Sequence, residues 1–196
     1  PEEADTDIDY VHGNSLELDH DGNILLSSRN LHEVTKIDRH TGEILWRLGG
    51  RANMFSHFND PLFGHQHDAR VQPNGNLTVF DNLGSPGPSR GVEYVINERQ
   101  RTVTRVWEFA HDPPVFSAFM GNAQRLPNGN TLLGWGAPSR EEEFTFASIT
   151  EVSPEGEAVF ELAFDPPFVS YRAFRFPWQG FPETPPDLAF RTDGDT

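Results

Sequence analysis

The sequence of 196 residues contains no cysteine, which excludes disulfides and every metal site built on thiolates. Long apolar runs are missing as well. None approaches the roughly 18 residues that a membrane-crossing helix needs, and no leader-like stretch precedes Pro1. Positive charge is scarce: 15 Lys and Arg stand against 30 Asp and Glu, a formal net charge of −15. Surfaces that hold duplex DNA or anionic lipid carry a basic face. No cluster of Lys and Arg occurs here, so neither nucleic acid nor a membrane surface is an expected partner. Met is absent from position 1 and the sequence is strand-like by Tyr10, as expected of a processed chain or the later part of a longer one.

Turn-forming and aromatic residues are plentiful. With 17 Gly and 16 Pro a helical bundle is disfavoured, because both residues interrupt helices. Sixteen Phe and four Trp supply a core, and 36% apolar content is low but above the disordered range.

Internal periodicity is the strongest structural signal. Asp21-Gly22-Asn23 recurs as Asn74-Gly75-Asn76 and as Asn128-Gly129-Asn130, at spacings of 53 and 54 residues. Such triplets favour tight turns, since Asn, Asp and Gly tolerate positive φ. Each sits between two strand-like runs, such as Leu77-Thr78-Val79-Phe80 after the second turn, and a second hairpin follows each time. Four strands per repeat, with Trp46, Trp107 or Phe160 in the last, predict the blades of a β-propeller. The expected architecture is all-β: three four-stranded blades within residues 1–164, at about 9–49, 65–110 and 117–164. A sandwich of unrelated hairpins is the plainer alternative, and the fixed period speaks against it. Known propellers need about four to eight blades, so further blades are expected from an upstream segment, a second chain or a second copy. Residues 165–196 hold six prolines and read as a closing segment followed by an acidic Pro-rich tail.

Superposing the repeats on their turns aligns His12 with His65 and Asn14 with His67. Two residues apart on an extended strand, each pair shares one side, roughly 7 Å apart. The first strand of a blade lines the central channel, so these four side chains are expected at its mouth. The third repeat has Phe119 and Gly121 there, beside Asn122, so the histidines are not needed to build a blade. Arg29 ends the second strand of the first repeat, where the others have Asn82 and Gly136, and faces the same mouth. A guanidinium beside imidazoles and an amide suits a tetrahedral oxyanion.

Plainer readings stay open. His12 and His67 can be channel histidines that bridge blades through water, and Arg29 can be a structural ion pair. His12, His65 and His67 can also supply three nitrogen ligands to a metal-dependent hydrolase, and propellers serve as binding scaffolds without chemistry. His20, His40 and His57 fall in apparent turns or loops, and structural roles are favoured for His32 and His111. The sequon Asn76-Leu77-Thr78 starts a strand and reads as incidental. No His-Glu-x-x-His or Gly-Lys-Ser/Thr motif occurs.

The segments His12-Gly13-Asn14-Ser15, Ser27-Ser28-Arg29, Ile44 to Gly49 and Gln66-His67-Asp68-Ala69 resemble the arylsulfotransferase family. Tyr171 to Trp178 is similar to the C-terminal segment of its actinobacterial and fungal-type branch. The resemblance implies a six-bladed ring that moves a sulfuryl group from an aryl sulfate to a phenol, with no nucleotide donor and no cofactor or metal. It places the nucleophile, through a sulfohistidine intermediate, on His67. His12 and Asn14 fall on the residues that hold the sulfuryl oxygens, and Arg29 on the family's arginine. Asn122 matches a further polar contact loosely, and His65 joins the substrate-binding set by its place in the repeat. A family histidine on an earlier blade has no counterpart here. Periplasmic family members imply an extracytoplasmic location, periplasmic or secreted.

Overall fold

A computed structural model describes residues 8–82, 87–138, 147–178 and 180–181; the acidic tail expected after residue 181 lies outside them. Every regular element among the described residues is a strand. The first sheet runs β1 (Gly13–Leu18), β2 (Ile24–Ser28), β3 (Glu33–Ile37), β4 (Ile44–Gly49), each antiparallel to the next. The second contains β5 (Ser56–His57), β6 (His67–Val71), β7 (Leu77–Asp81), β8 (Arg90–Asn97) and β9 (Thr102–Ala110). The third is β10 (Asn122–Arg125), β11 (Thr131–Gly134), β12 (Ile149–Val152) and β13 (Ala158–Leu162), again in chain order.

The triplet turns explain the period. In each, the central glycine has φ between 81 and 88°, a region costly for any residue with a Cβ. Asp21, Asn74 and Asn128 each accept the N–H two residues on, at 3.0, 3.0 and 3.1 Å. The chain then closes identically: Asp19 N–H donates to Asn23 O, Gln72 N–H to Asn76 O and Leu126 N–H to Asn130 O, each at 2.8 Å. Three copies of one turn thus set three copies of one hairpin register.

The second sheet departs from the expected four strands. Two residues, Ser56 and His57, add a fifth, pairing parallel to β9 at the outer edge. His57 therefore belongs to a strand rather than a loop, and its Nδ1 meets the Asp60 carbonyl at 2.8 Å.

The sheets stack face to face with apolar cores between them. Leu25, Val34, Trp46, Leu48, Val79 and Tyr94 belong to the first core, which joins sheets one and two. Phe80, Ala123, Leu133, Trp135 and Val152 belong to the second. A smaller third cluster joins Leu126, Leu132 and Ile149 to Ala173 of the closing segment. That segment runs beside β10: Gly121 N–H donates to Tyr171 O, Asn122 brackets the backbone of Ala173, and Gln124 brackets that of Arg175.

Candidate active site

His67 opens β6 and is buried. Its Nδ1 faces two acceptors, Asn82 Oδ1 at 2.7 Å and His65 O at 3.1 Å. Asn82 has no freedom to turn its amide, because its Nδ2 donates to the carbonyls of Ser117 (2.9 Å) and Met120 (2.8 Å). Carbonyl oxygens only accept, so Asn82 presents oxygen to the imidazole and the ring hydrogen sits on Nδ1. Nε2 then carries the lone pair, and the Met120 N–H points at it from 3.2 Å. One tautomer satisfies every bond.

Of the other expected residues, Asn14, His65, Arg29 and His12 lie near His67 through neighbouring backbone or charge, and Asn122 does not. Asn14 Nδ2 donates to Gln66 O at 2.6 Å. Gln66 in turn is fully buried and reaches the Ser27 hydroxyl and the Glu33 carbonyl, locking the start of β6 to the first sheet. Arg29 spans the mouth: Nη2 donates to Ala118 O at 2.9 Å and Nη1 to Asn30 Oδ1 at 2.8 Å. Its backbone N–H donates to His12 O at 3.0 Å. The His12 side chain is exposed and pairs through Nδ1 with Asp9. His65 stacks on His32, ring centroids 4.5 Å apart, and its N–H donates to His32 Nδ1 at 3.0 Å. Asn122 lies apart from this group, with its amide engaged at both ends by the backbone of Ala173.

The even alternation expected along these strands is broken. His12, His65 and Asp68 have φ of 51, 49 and 53°, and register shifts fall between Gly13 and Ser15 and between His67 and Arg70. Left-handed residues turn the chain out of the pleat. The even pleat on which a shared side was expected for each pair is therefore interrupted at both pairs.

The profile of the family described as Arylsulfotransferase (ASST) matches residues 2–164. The chain belongs to the arylsulfotransferase family. It is similar to the arylsulfate sulfotransferase AssT of Escherichia coli O6:H1, with 34% identity in a match that spans 36% of this chain and 14% of that protein. The PQQ-bound aldose sugar dehydrogenase of Streptomyces coelicolor is 18% identical, over 75% of this chain and 46% of its own, with a TM-score of 0.52. The β-propeller domain of Cps50 (Swd1) from Myceliophteria thermophila is 11% identical, over 83% and 48%, with a TM-score of 0.50. These structural likenesses carry the fold alone, an all-β propeller of which the chain spans under half the length of either neighbour.

Two parts of this candidate site have no signal in the sequence alone. Asn82 was aligned with Arg29 but had no assigned partner. Tyr171 and Arg172 come from the closing segment: the Tyr171 ring meets His67 edge-on at 6.4 Å, and Arg172 donates to Asn14 O at 2.5 Å and pairs with Asp68 at 3.5 Å. Burial, then the charge of Arg29, holds the His32 and His65 imidazoles below the ordinary histidine range. His67 is also held low, by burial first and by the charges of Arg29 and His12, against the opposing bonds from Asn82 and His65. Asn14 Oδ1, Arg29 Nε, His65 Nδ1 and Arg172 Nε are buried without a hydrogen-bond partner among the described residues. Such orphans cost roughly 1–3 kcal/mol each unless a ligand or water meets them. Among the described residues no group of three or more His, Asp or Glu side chains is disposed to hold a metal ion.

Proposed function

We propose that this chain carries the nucleophilic part of an arylsulfate sulfotransferase that works through a sulfohistidine on His67. The observation that carries the reading is the single tautomer of His67, which leaves Nε2 unprotonated with only the Met120 N–H on it, while Arg29 Nε, His65 Nδ1 and Arg172 Nε are buried without partners among the described residues. The Nε2 pair attacks sulfur of an aryl sulfate, the S–O(aryl) bond breaks, and the phenoxide leaves with that electron pair. His12, held at Nδ1 by Asp9, supplies a proton to the phenoxide through its other nitrogen. The ring of His67 keeps its Nδ1 hydrogen and becomes a sulfo-imidazolium. A second phenol then gives its proton to His12, attacks sulfur and returns the electron pair to Nε2. Charge spreads over the sulfuryl oxygens as they pass between the two groups, as in phosphoryl transfer. Fixed donors act best there: Arg29 through its unpartnered Nε, His65, the second hydrogen of Asn14 Nδ2, and the Met120 N–H once the Nε2 pair has gone to sulfur.

Exposed apolar side chains on the first sheet (Leu16, Leu18) and the third (Phe160, Leu162) support completion of the ring by further blades, six in all by family likeness. An extracytoplasmic site of action belongs to the same reading. The test is incubation of the full-length protein with an aryl sulfate, followed by peptide mapping under non-acidic conditions that preserve an N–SO3 bond. An acid-labile sulfuryl adduct on His67 is expected, with ping-pong kinetics, and Arg29→Ala should lower the rate by about 10²-fold. Turnover that survives His67→Ala unchanged would overturn the assignment.

A further inference from the structure

We infer that residues 171–176 are the innermost strand of a fourth blade, whose other strands come from a segment of the same protein outside residues 1–196. The sequence of this segment repeats that of β10 with its flanks. Ala123-Gln124-Arg125-Leu126-Pro127 is echoed by Ala173-Phe174-Arg175-Phe176-Pro177, alanine, arginine and proline each in register 50 residues on. The first element of a repeat is present without the Asp-Gly or Asn-Gly turn that continues the other three.

Contacts follow the same register. Ser15 in β1 and Asn122 in β10 hold equivalent places, six residues before their turns. The Ser15 hydroxyl accepts the Ala69 N–H at 3.1 Å, and Asn122 Oδ1 accepts the Ala173 N–H at 2.8 Å. Glu93 and Glu151 are likewise equivalent, paired across their sheets with Thr78 and Leu132. Glu93 binds Arg125 of the following sheet, and Glu151 binds Arg175 of the closing segment. Arg175 thus does for the third sheet what Arg125 does for the second.

Hydrogen bonding fixes the edge that is left open. Tyr171, Ala173 and Arg175 turn their backbone groups toward the Gly121, Asn122 and Gln124 side. Alternate residues of an extended chain point opposite ways, so Phe174 and Phe176 direct theirs to the far edge, where they meet no partner among the described residues. Beside that edge lies a groove of about 880 Å³, walled by Leu132, Ile149, Val159 and Phe160 on one side and by Phe174 and Phe176 on the other. The third apolar cluster lies at this junction and is small where the first two are full.

A second copy of this chain does not fit the groove as a blade. Its β1 would need the place beside β10 that residues 171–176 already fill. The first sheet uses residues 24 to 49 for its second to fourth strands; neither the stretch before Gly13 nor that after Phe181 is as long. A segment elsewhere in the protein, pairing antiparallel to 171–176 and carrying apolar residues on alternate positions, meets both demands.

Hydrogen exchange and photocrosslinking of the full-length protein test this. The Phe174 and Phe176 amides should resist exchange for hours, and p-benzoylphenylalanine in place of Phe174 should crosslink within one chain, to a peptide outside residues 1–196. Rapid exchange at both amides, or a crosslink joining two copies or reaching a different protein, overturns the proposal. The outcome is independent of whether His67 is sulfurylated.

Discussion

His67 Nδ1 serves two acceptors only with its hydrogen in place, and Asn82 is what makes that obligatory. A neutral amide orients the ring without adding a negative charge to it, which favours the uncharged imidazole that the proposed reaction needs. Its pKa is lowered by burial, then by Arg29 and His12, against the pull of Asn82 and His65. At a pH below that pKa the ring is protonated and Nε2 has no lone pair. The acid limb of kcat/KM should therefore fall below about 6.5, the ordinary histidine value. Asn82→Asp keeps an acceptor oxygen but adds charge that favours the imidazolium, which should move that limb up by about 1–3 pH units. Arg29, His12, His65, Tyr171 and Arg172 around the ring are untouched by this change. A profile for Asn82→Asp that overlays the parent would remove Asn82 from the positioning of His67. His12, Asn14, Arg29, His65 and His67 were legible in the sequence because aligned repeats expose residues that a blade does not require. Asn82 was not, since its role lies in two backbone carbonyls that only the folded chain brings near. The Met120 N–H was invisible for the same reason: a backbone donor has no signature in residue type.

Between residue and blade, the stretch Ser117 to Asn122 decides the shape of the mouth. Met120 and Gly121 both have positive φ, 69 and 98°, and this is what turns the Met120 N–H toward His67. A Cβ on Gly121 would lie 2.4 Å from the Phe80 ring and 2.9 Å from Gly134 O, in a conformation that alanine resists. Gly121→Ala should cost about 1–3 kcal/mol, read as a lower urea midpoint at unchanged slope, with activity lost beyond what stability explains. A midpoint within error of the parent would show that the stretch yields easily. The three hairpin turns were legible because Asx-Gly chemistry is local: one side-chain acceptor and one glycine suffice. Strand β5 was not, since its two exposed residues pair only with β9, far along the chain. The strand-like run at 171–176 was masked for a different reason. Its repeat has lost the turn triplet by which the other three were found, and only the Ala-x-Arg and Pro positions remain.

At the scale of the molecule, the net charge of −15 and an anionic substrate are compatible. Exposed charges beyond roughly 8–10 Å are screened at physiological ionic strength, whereas in the proposed reaction Arg29, Arg172 and the backbone donors would act at contact distance. The apolar surface poses the sharper question. Ser15 and Glu17 of β1 contact the second sheet through Ala69 and Arg70, which turns Leu16 and Leu18 to the opposite face, 66% and 59% exposed. On the third sheet Val159, Phe160 and Leu162 are exposed in the same way. Contiguous patches of this kind mark interfaces rather than free surface, and in a closed ring each would face a neighbouring blade. The stability of Leu16→Asp separates the two cases. If Leu16 faces solvent in the full-length protein, the change should stay within about 0.5 kcal/mol, as for other surface substitutions. If a blade covers it, the variant loses roughly 1.5–3 kcal/mol of side-chain burial and also forces a carboxylate into an apolar seam, so a loss above about 2 kcal/mol is expected. Glu17, its neighbour on the opposite face, gives the control: Glu17→Gln weakens one partly exposed ion pair with Arg70 and should cost under about 1 kcal/mol. Equal small losses for both substitutions, measured by chemical denaturation, would mean that the face of β1 stays open and that the ring is not closed on that side.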